Sequence, residues 1–461
     1  MSLERLAQRF LTPTLERVAT SGEKTVVKTA AAEQAKKAAA LLDRSVLTEL
    51  GAANQAIKKR WPQLLAEKYK RMAESMFAFF RGSDDLFIKD AIRLDPTLAK
   101  QPKALLQGDL HLNNLGAMLK GDSAVRYGMT DFDEAAAGPV LLDLRRLATS
   151  LHLVADERGL TAHETDKLVE KLAKAYRKRL GEVASGTAKA VEKEPKAIAD
   201  MLAKAMKEDP AKWLDKLAPA GASGRALARD ATALDVHAGL LRDLQTAFKH
   251  YRTGLTGDAA KALDGYAVTD AVSSIGGVGS VGRGRYRVLA QAPGKAPMLF
   301  ELKEELPSLV KGQLHGGPAF KSEADRVVSM IKTANPDLNP FVGLTTMPTA
   351  DALSNPSFMV KRLFPQSATV DFTAISGAQE LQELVERVAQ LTADTHARGA
   401  EVGLASAQEL LDGLGPKKAF AHDLKVYARG YADQVKVDYK AFLKALESDP
   451  LLEQPVVRGR G

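Results

Sequence analysis

The chain has 461 residues, of which 45% are hydrophobic and 26% charged, so it is long enough for two or three globular lobes. Cysteine is absent, which excludes disulfides, zinc–thiolate sites and cysteine nucleophiles. The net charge of +8 is spread along Ala-, Lys- and Glu-rich segments, a pattern that is typical of solvated helix faces and would also favour a phosphate-rich ligand.

The first hundred residues are predicted to be helical. Residues 30–42 place apolar side chains at helical spacing, and the aromatic cluster at 77–80 indicates core packing. Arg81, directly before Gly82, is a weaker candidate for an anion contact. The N-terminus has no apolar signal core and no run of about 18 apolar residues occurs, so we expect a cytoplasmic protein without a membrane partner.

The character of the chain changes between residues 104 and 133. A short apolar run leads into Asp109, and Asn114 follows five residues later. On a tight loop an acid and an amide at this spacing can face one cavity, where the acid accepts a hydroxyl proton and the amide oxygen ligates Mg²⁺. A predicted hairpin strand then ends at Asp131, whose carboxylate can bridge the metal to the β- and γ-phosphates. The pattern predicts Asp109 as catalytic base, and Asn114 and Asp131 as magnesium ligands.

The combined pattern is far more specific than either half. It reads Gly-Asp-Leu-His-x-x-Asn, then a strand, then Asp-Phe, then an aspartate at a helix start. It resembles the catalytic core of the kinase-like superfamily, especially aminoglycoside phosphotransferases and choline-kinase-like enzymes. The resemblance implies that Asp109 is the catalytic aspartate, that Asn114 and Asp131 bind magnesium, and that Asp143 steadies the catalytic loop.

Two further positions of the loop bear on this resemblance. Gln107 stands where the family has its first histidine, which is a scaffold residue, so the departure does little harm to the chemistry. His111 matches the second histidine. After Asp143 the chain is predicted to be helical to about residue 256, and 189–216 reads as an exposed insertion of short helices to which we assign no chemistry.

Residues 266–306 are predicted to form β structure around the most glycine-dense stretch of the chain. A Gly-x-Gly-x-x-Gly pattern here lets backbone N–H groups close on phosphates without a Cβ in the way. A dinucleotide-binding fold would need a helix directly after this pattern. A strand at 285–290 follows instead, which favours a kinase-type phosphate-binding hairpin over a plain glycine-rich turn. The candidate nucleotide-binding residues in this stretch are Gly277, Gly279, Ser280 and Gly282.

Lys303 lies at the end of the next predicted strand, and Glu323 lies on a predicted helix beyond it. A strand lysine that holds the α- and β-phosphates and pairs with a helix glutamate is the kinase arrangement, which these spacings resemble. An exposed charged strand is the alternative, and Glu304 or Glu305 could also be the counter-ion. Lys361, on a further predicted strand, would lie against the adenine.

The order of the motifs differs from that of ordinary kinases, in which the glycine-rich loop and lysine precede the catalytic loop. The sequence therefore predicts an α+β, two-lobed protein-kinase-like fold that is circularly permuted; otherwise one of the motifs is false. Permutation costs little when the termini lie close together. We expect a large helical lobe with the catalytic and metal loops over 1–260, a small β-rich nucleotide-binding lobe over 261–370, and helices that return to the large lobe over 371–461.

The chain is also similar over most of its length to an uncharacterised bacterial family, the domain of unknown function 2252. That family has no established substrate, so this resemblance bears on the fold more than on the activity. The matching stretches are 77–82, 108–116, 131–150, 277–289 and 395–398.

These observations together predict an ATP- and Mg²⁺-dependent phosphotransferase that acts on an unknown hydroxyl acceptor, either a small molecule or a protein. Three alternatives stay open: AMP transfer by the same fold, a non-catalytic nucleotide-binding or interaction module, and a basic nucleic-acid-binding protein. The full set of acidic and amide ligands argues against the second, and the lack of the usual binding signatures argues against the third. His396 and Arg398 are either a helix-end cation pair favoured by the dipole or a substrate or phosphate contact.

Overall fold

The computed structural model describes residues 44–447, apart from short gaps at 122–123, 223, 277–280, 315, 348–355, 373 and 376. The helix predicted at 30–42 lies outside the described residues. The described α-helices are α1 Val46–Ala53, α2 Gln55–Arg60, α3 Pro62–Met72, α4 Met76–Gly82, α5 Asp84–Leu94, α6 Leu141–Glu157, α7 Ala162–Ala184, α8 Lys196–Met206, α9 Pro210–Leu217, α10 Ala238–Thr253, α11 Gly257–Ala262, α12 Leu309–Gln313, α13 Glu323–Ala334, α14 Ala378–Ala397, α15 Ala407–Gly413 and α16 Lys417–Leu446.

The described strands are β1 Lys103–Leu106, β2 Leu115–Lys120, β3 Ala124–Met129, β4 Ala136–Pro139, β5 Ala220–Gly221, β6 Gly224–Arg225, β7 Ala233–Asp235, β8 Ala267–Ser274, β9 Arg285–Gln291, β10 Met298–Glu304, β11 Gly343–Thr346 and β12 Ser357–Arg362. The mixture of many helices with antiparallel strands confirms the α+β class predicted from the sequence.

Six strands form an antiparallel sheet in the order β11-β12-β10-β9-β8-β7. Helix α10 covers one face, where Phe248 and Tyr251 pack edge-on against Phe300 of β10. In the centre of the sheet Lys303 of β10 is opposite Met359 of β12. The β structure predicted for residues 266–306 is therefore confirmed.

The helical body is built around α6, α7, α14 and α16, with α14 packed along α7 and α16 packed along α6 and α7. Apolar side chains of α6 recur at helical spacing and are fully buried, as Leu144, Leu147 and Leu151 illustrate. Helix α7 begins with a capping box, in which Thr161 and Glu164 bond each other's backbone N–H groups. This body supports the loops that carry the candidate site.

Two short antiparallel pairs, β1–β4 and β2–β3, lie at the edge of the helical body. The β2–β3 pair is the hairpin predicted ahead of Asp131. The backbone N–H of Ala117 on β2 donates to the carbonyl oxygen of Ala368, so the segment after β12 crosses this hairpin. The candidate site therefore lies where the helical body, the hairpin and the six-stranded sheet meet.

The domain boundary at residue 260 stays a prediction. Both β7 and α10 precede it, yet β7 is hydrogen-bonded to β8 and α10 shares the apolar core of the sheet. In the part of the chain that the structure covers, no helix combines the length and the apolarity that a bilayer span requires.

Candidate functional site

The loop between β1 and β2 is fixed by a buried carboxylate and by a glycine. Asp143 of α6 accepts the backbone N–H of Gln107 at 2.7 Å and that of Gly108 at 3.0 Å. Gly108 has a φ of 93°, and a Cβ there would lie 2.1 Å from the carbonyl oxygen of Glu134. Only glycine fits this turn, which presents Asp109 directly after the strand.

Asp109 is ion-paired to a buried arginine that was not predicted from the sequence. Arg146 of α6 binds Asp109, lies 3.1 Å from a carboxylate oxygen of Asp84, and donates to the carbonyl oxygen of Phe80 at 3.1 Å. Burial raises the pKa of Asp109 to about 7, although the Arg146 guanidinium acts in the opposite direction. A carboxyl that titrates near neutral pH is suited to proton transfer.

His111 and Asn114 complete the loop around Asp109. His111 Nε2 lies 3.7 Å from Asp109 Oδ2. Burial holds the pKa of His111 well below its usual value, so the ring is neutral near pH 7. The Asn114 side-chain NH₂ donates to the carbonyl oxygen of Asp109 at 2.9 Å. This bond orients the amide, and its oxygen has no hydrogen-bond partner among the residues that the structure describes.

Asp131 lies beside Asn114 at the open end of the β2–β3 hairpin, where the N–H of Thr130 donates to the Asn114 carbonyl oxygen at 2.9 Å. Asp131 has a φ of 55°, which is otherwise confined to glycines in the described chain. The Gln107 side chain donates to the carbonyl oxygens of Thr130 and Asp131 and accepts the N–H of Asp109. Gln107 therefore joins the Asp109 loop to the Asp131 loop. The positive φ of Asp131 is backbone strain of the kind that clusters at functional sites.

Lys303 of β10 meets Asp131 from 172 positions further along the chain. Its Nζ lies 2.8 Å from Asp131 Oδ1 and 2.5 Å from Asp133 Oδ2. Lys303 is only 3% exposed, whereas the Asp131 side chain is 43% exposed. Burial opposes ionisation of Asp131, but the Lys303 ammonium outweighs it and holds the pKa of Asp131 far below its usual value. The pair is fully ionised.

Glu323 and Lys361 lie outside this cluster. Glu323 is ion-paired to Arg326 at 2.5 Å, so the predicted pair between Lys303 and Glu323 is not formed. The reason is local, because Arg326 follows Glu323 by one helical turn and competes for the same carboxylate. Lys361 lies 3.4 Å from Glu301, its cross-strand neighbour, on the same face of the sheet as Lys303.

The glycine-rich stretch is described only in part. The candidate residues that lie outside the described residues are Gly277, Gly279 and Ser280. Gly282 has a φ of 91°, and a Cβ there would lie 2.5 Å from the Ile57 side chain of α2. Arg71 of α3 donates to the carbonyl oxygen of Gly276. Helices α2 and α3 therefore contact both ends of this stretch.

Arg283, directly after Gly282, is a second arginine that was not predicted as a site residue, and its side chain is 11% exposed. It donates to Glu134 at 2.7 Å, and its Nη1 lies 3.4 Å from Asp133. This contact ties the glycine-rich stretch to the loop that begins at Asp131. The sequence signal that could have identified Arg283 and Arg146 was their closeness to predicted motifs, since each lies within four residues of one.

His396 and Arg398 have separate surroundings. His396 is completely buried, with Nε2 at 3.1 Å from Asp143 Oδ2 and Nδ1 at 2.9 Å from the Tyr176 hydroxyl. Arg398 forms a partly exposed ion pair with Glu401. His396 therefore supports the carboxylate that holds the loop before Asp109.

The oxygen donors fit a magnesium ion that is held partly by phosphates. Among residues 44–447 outside the gaps, no group of three or more His, Cys, Asp and Glu side chains converges as a metal site. Mg²⁺ needs no such group, since it keeps several waters and takes one or two carboxylates together with substrate phosphates. The unbonded amide oxygen of Asn114 and the half-exposed carboxylate of Asp131 lie on adjoining backbone and meet this requirement.

Comparison with known proteins identifies the family and no activity. No curated protein matches the chain, and no solved structure matches it. The family model described as "Uncharacterized protein conserved in bacteria (DUF2252)" matches residues 60–445, which is most of the chain. The chain therefore belongs to the DUF2252 family.

Proposed function

We propose that this chain is an ATP- and Mg²⁺-dependent phosphotransferase with a two-lobed, protein-kinase-like and circularly permuted fold. The observation that carries the proposal is the meeting of Lys303 with Asp131 beside the loop of Asp109 and Asn114. A cation for phosphates, oxygen donors for a metal and an acid for proton transfer are the groups that this reaction needs. Phosphoryl transfer is catalysed mainly by positioning and by charge neutralisation.

The residues divide the work according to their charges. Lys303 holds phosphate oxygens of the nucleotide, and Asp131 and Asn114 hold magnesium, which supplies neutralisation of the β- and γ-phosphate charge when it is bound. Gly282 and Lys361 flank the nucleotide from the turn and from the sheet face. Glu323 takes no part in holding Lys303, because the counter-ions of Lys303 are Asp131 and Asp133.

Asp109 acts as the general base. One of its oxygens is held by Arg146, which leaves Oδ2 to accept the proton of the acceptor hydroxyl. The pKa of about 7 places roughly equal amounts of acid and base at neutral pH. The hydroxyl oxygen then attacks the γ-phosphorus, and ADP leaves with the electrons of the broken P–O bond.

Permutation requires the helices before the catalytic loop and the last helices of the chain to build the large lobe together. Arg44, directly before α1, is ion-paired to Asp438 of α16 at 2.8 Å, which supports this arrangement. The glycine-rich stretch and β10 can thus follow the catalytic loop in sequence and still lie against it in space.

Replacement of Asp109 by asparagine tests the proposal. Turnover of ATP should be abolished, whereas the calorimetric affinity for MgATP should stay within about threefold, because asparagine keeps the shape but cannot accept the proton. Asp156→Asn makes the same chemical change at an exposed position of α6 and should leave turnover intact. Transfer of label from γ-labelled and not α-labelled ATP distinguishes phosphoryl from AMP transfer.

Two results would exclude parts of this proposal. Full turnover by Asp109→Asn would remove Asp109 as the base. Absence of any magnesium-dependent ATP binding by the unaltered protein would exclude a phosphotransferase and an AMP-transferase alike.

A further inference from the structure

Arg81, near the end of α4, is a guanidinium without a hydrogen bond or ion pair among the described residues. Its Nε is buried and unbonded. Its Cζ lies 5.8 Å from the centre of the Phe77 ring, and that ring meets the His111 ring edge-on at 5.8 Å. Arg81 therefore lies beside the loop that carries the proposed base.

The unpaired state of Arg81 is unusual in this part of the molecule. Three other cations of the site are each ion-paired: Arg146 to Asp109, Arg283 to Glu134 and Lys303 to Asp131. The carboxylates nearest to the site are thus already engaged by other cations. A partly buried guanidinium without a partner costs free energy that a bound anion would recover.

The side chain of Arg146 links the backbone directly before Arg81 to the proposed base, Asp109. Arg146 donates to the carbonyl oxygen of Phe80, the residue before Arg81, and the same guanidinium binds Asp109. Burial lowers the pKa of Arg81, whereas the charges of Asp109 and Asp131 raise it, so Arg81 lies within electrostatic reach of both carboxylates. It is held at a defined place relative to the base and to the proposed metal ligand.

We propose that Arg81 is a catalytic residue that binds the phosphoryl group during its transfer. The proposal rests on the phosphotransferase function proposed above. In the transfer step, Asp109 takes the hydroxyl proton, the acceptor oxygen bonds to the γ-phosphorus, and the bond to the departing ADP oxygen breaks. Negative charge then lies on the three other phosphoryl oxygens, and a guanidinium presents donors for such oxygens in a planar fork. An anionic group on the acceptor would bind a guanidinium through the same contacts, and it is the alternative ligand for Arg81.

The test measures ADP and Mg²⁺ binding by calorimetry, with and without aluminium fluoride, which mimics the phosphoryl group in flight. The unaltered protein should bind ADP at least about 100-fold more tightly when aluminium fluoride is present. Arg81→Gln should keep its affinity for ADP alone within about threefold and lose most of this gain. Arg81→Lys, which keeps the charge but not the fork, should retain part of the gain. The control Arg93→Gln removes an arginine of α5 that is ion-paired to Glu49 of α1, and this variant should retain the whole gain.

Each outcome decides between defined alternatives, once thermal unfolding has shown that the variants are folded. A full gain in Arg81→Gln overturns the proposal. A large loss of affinity for ADP alone overturns it as well, since Arg81 would then be a ground-state nucleotide contact. Binding of inorganic phosphate that is lost in Arg81→Gln while the gain is kept would assign Arg81 to the acceptor and overturn the proposal. Failure of the unaltered protein to bind MgADP at all would instead refute the phosphotransferase function on which the proposal rests.

Discussion

Replacement of Lys303 by methionine tests the central ion-pair cluster without any ligand. Methionine has a similar length, but it leaves the carboxylates of Asp131 and Asp133 without their shared cation. Removal of one partner from a buried pair costs about 3–5 kcal/mol. Asp131 is half exposed and can be hydrated, and Asp133 keeps Arg283 at 3.4 Å, so we expect a loss of about 3 kcal/mol at the lower end of that range.

The loss should depend on pH in a defined direction. In the unaltered protein Lys303 holds the pKa of Asp131 below the pKa that this group has in the unfolded chain. The stabilisation from this shift is fully present at pH values above the unfolded-state pKa, and it is lost as the pH falls through the folded-state pKa. Burial and the nearby Asp131 charge already raise the pKa of Asp133, and removal of Lys303 raises it further. Asp133 can then be protonated at mildly acidic pH. The loss should therefore be smaller at pH 5 than at pH 8, by about 1.4 kcal/mol for each pKa unit gained.

Urea unfolding at pH 5 and pH 8, followed by circular dichroism, measures both effects. Lys171→Met is the matched control, since Lys171 is half exposed and lies 3.3 Å from the half-exposed Glu386. It should cost less than about 1 kcal/mol at both pH values. Equal losses for the two variants, or a Lys303→Met loss that does not change between pH 5 and pH 8, would refute the buried pair.

Two further predictions concern the supports of Asp109. Asp143→Asn should lower the free energy of unfolding, measured in urea, by about 2–4 kcal/mol, because three buried donors converge on that carboxylate. The control variant Asp394→Asn changes a partly exposed ion pair and should cost less than about 1 kcal/mol. Arg146→Gln should move the acid limb of the pH profile of ATP turnover to higher pH, because burial raises the pKa of Asp109 and Arg146 lowers it. A limb that stays in place would separate Arg146 from the ionisation of Asp109.

Local signals in the sequence account for most of the secondary structure. The helix predicted to carry Glu323 is α13, and its first turn is capped by Ser322, whose side chain accepts the N–H of Asp325. The strand β10 was predicted to end at about Lys303, and it ends at Glu304. Lys303 is charged and buried, and its partners Asp131 and Asp133 come from another part of the chain. Local signals therefore predict the strand, whereas distant partners decide the burial of its lysine.

Ion pairing explains why parts of the candidate site were not predictable. Spacing suggested Glu323 as the counter-ion of Lys303, but Arg326 competes for Glu323 from the same helix and Asp131 reaches Lys303 from a distant loop. Arg146 lies in no catalytic motif, and its role follows only from its complete burial next to Asp109. Which carboxylate a buried cation meets is decided by tertiary packing, which a single sequence does not specify locally.

The pairing of Lys303 with Asp131 has a consequence for how the proposed ligands would bind. Magnesium at Asp131 would take one of the two carboxylates that neutralise Lys303 and leave it Asp133 alone. A nucleotide phosphate at Lys303 would add negative charge beside the two carboxylates that share this cation. Both ligands together would supply a cation for Asp131 and an anion for Lys303, so the charges of the cluster stay matched. Magnesium and nucleotide should therefore bind as a complex, and Arg81, which has no carboxylate partner among residues 44–447 outside the gaps, is available for the charge that appears only during transfer.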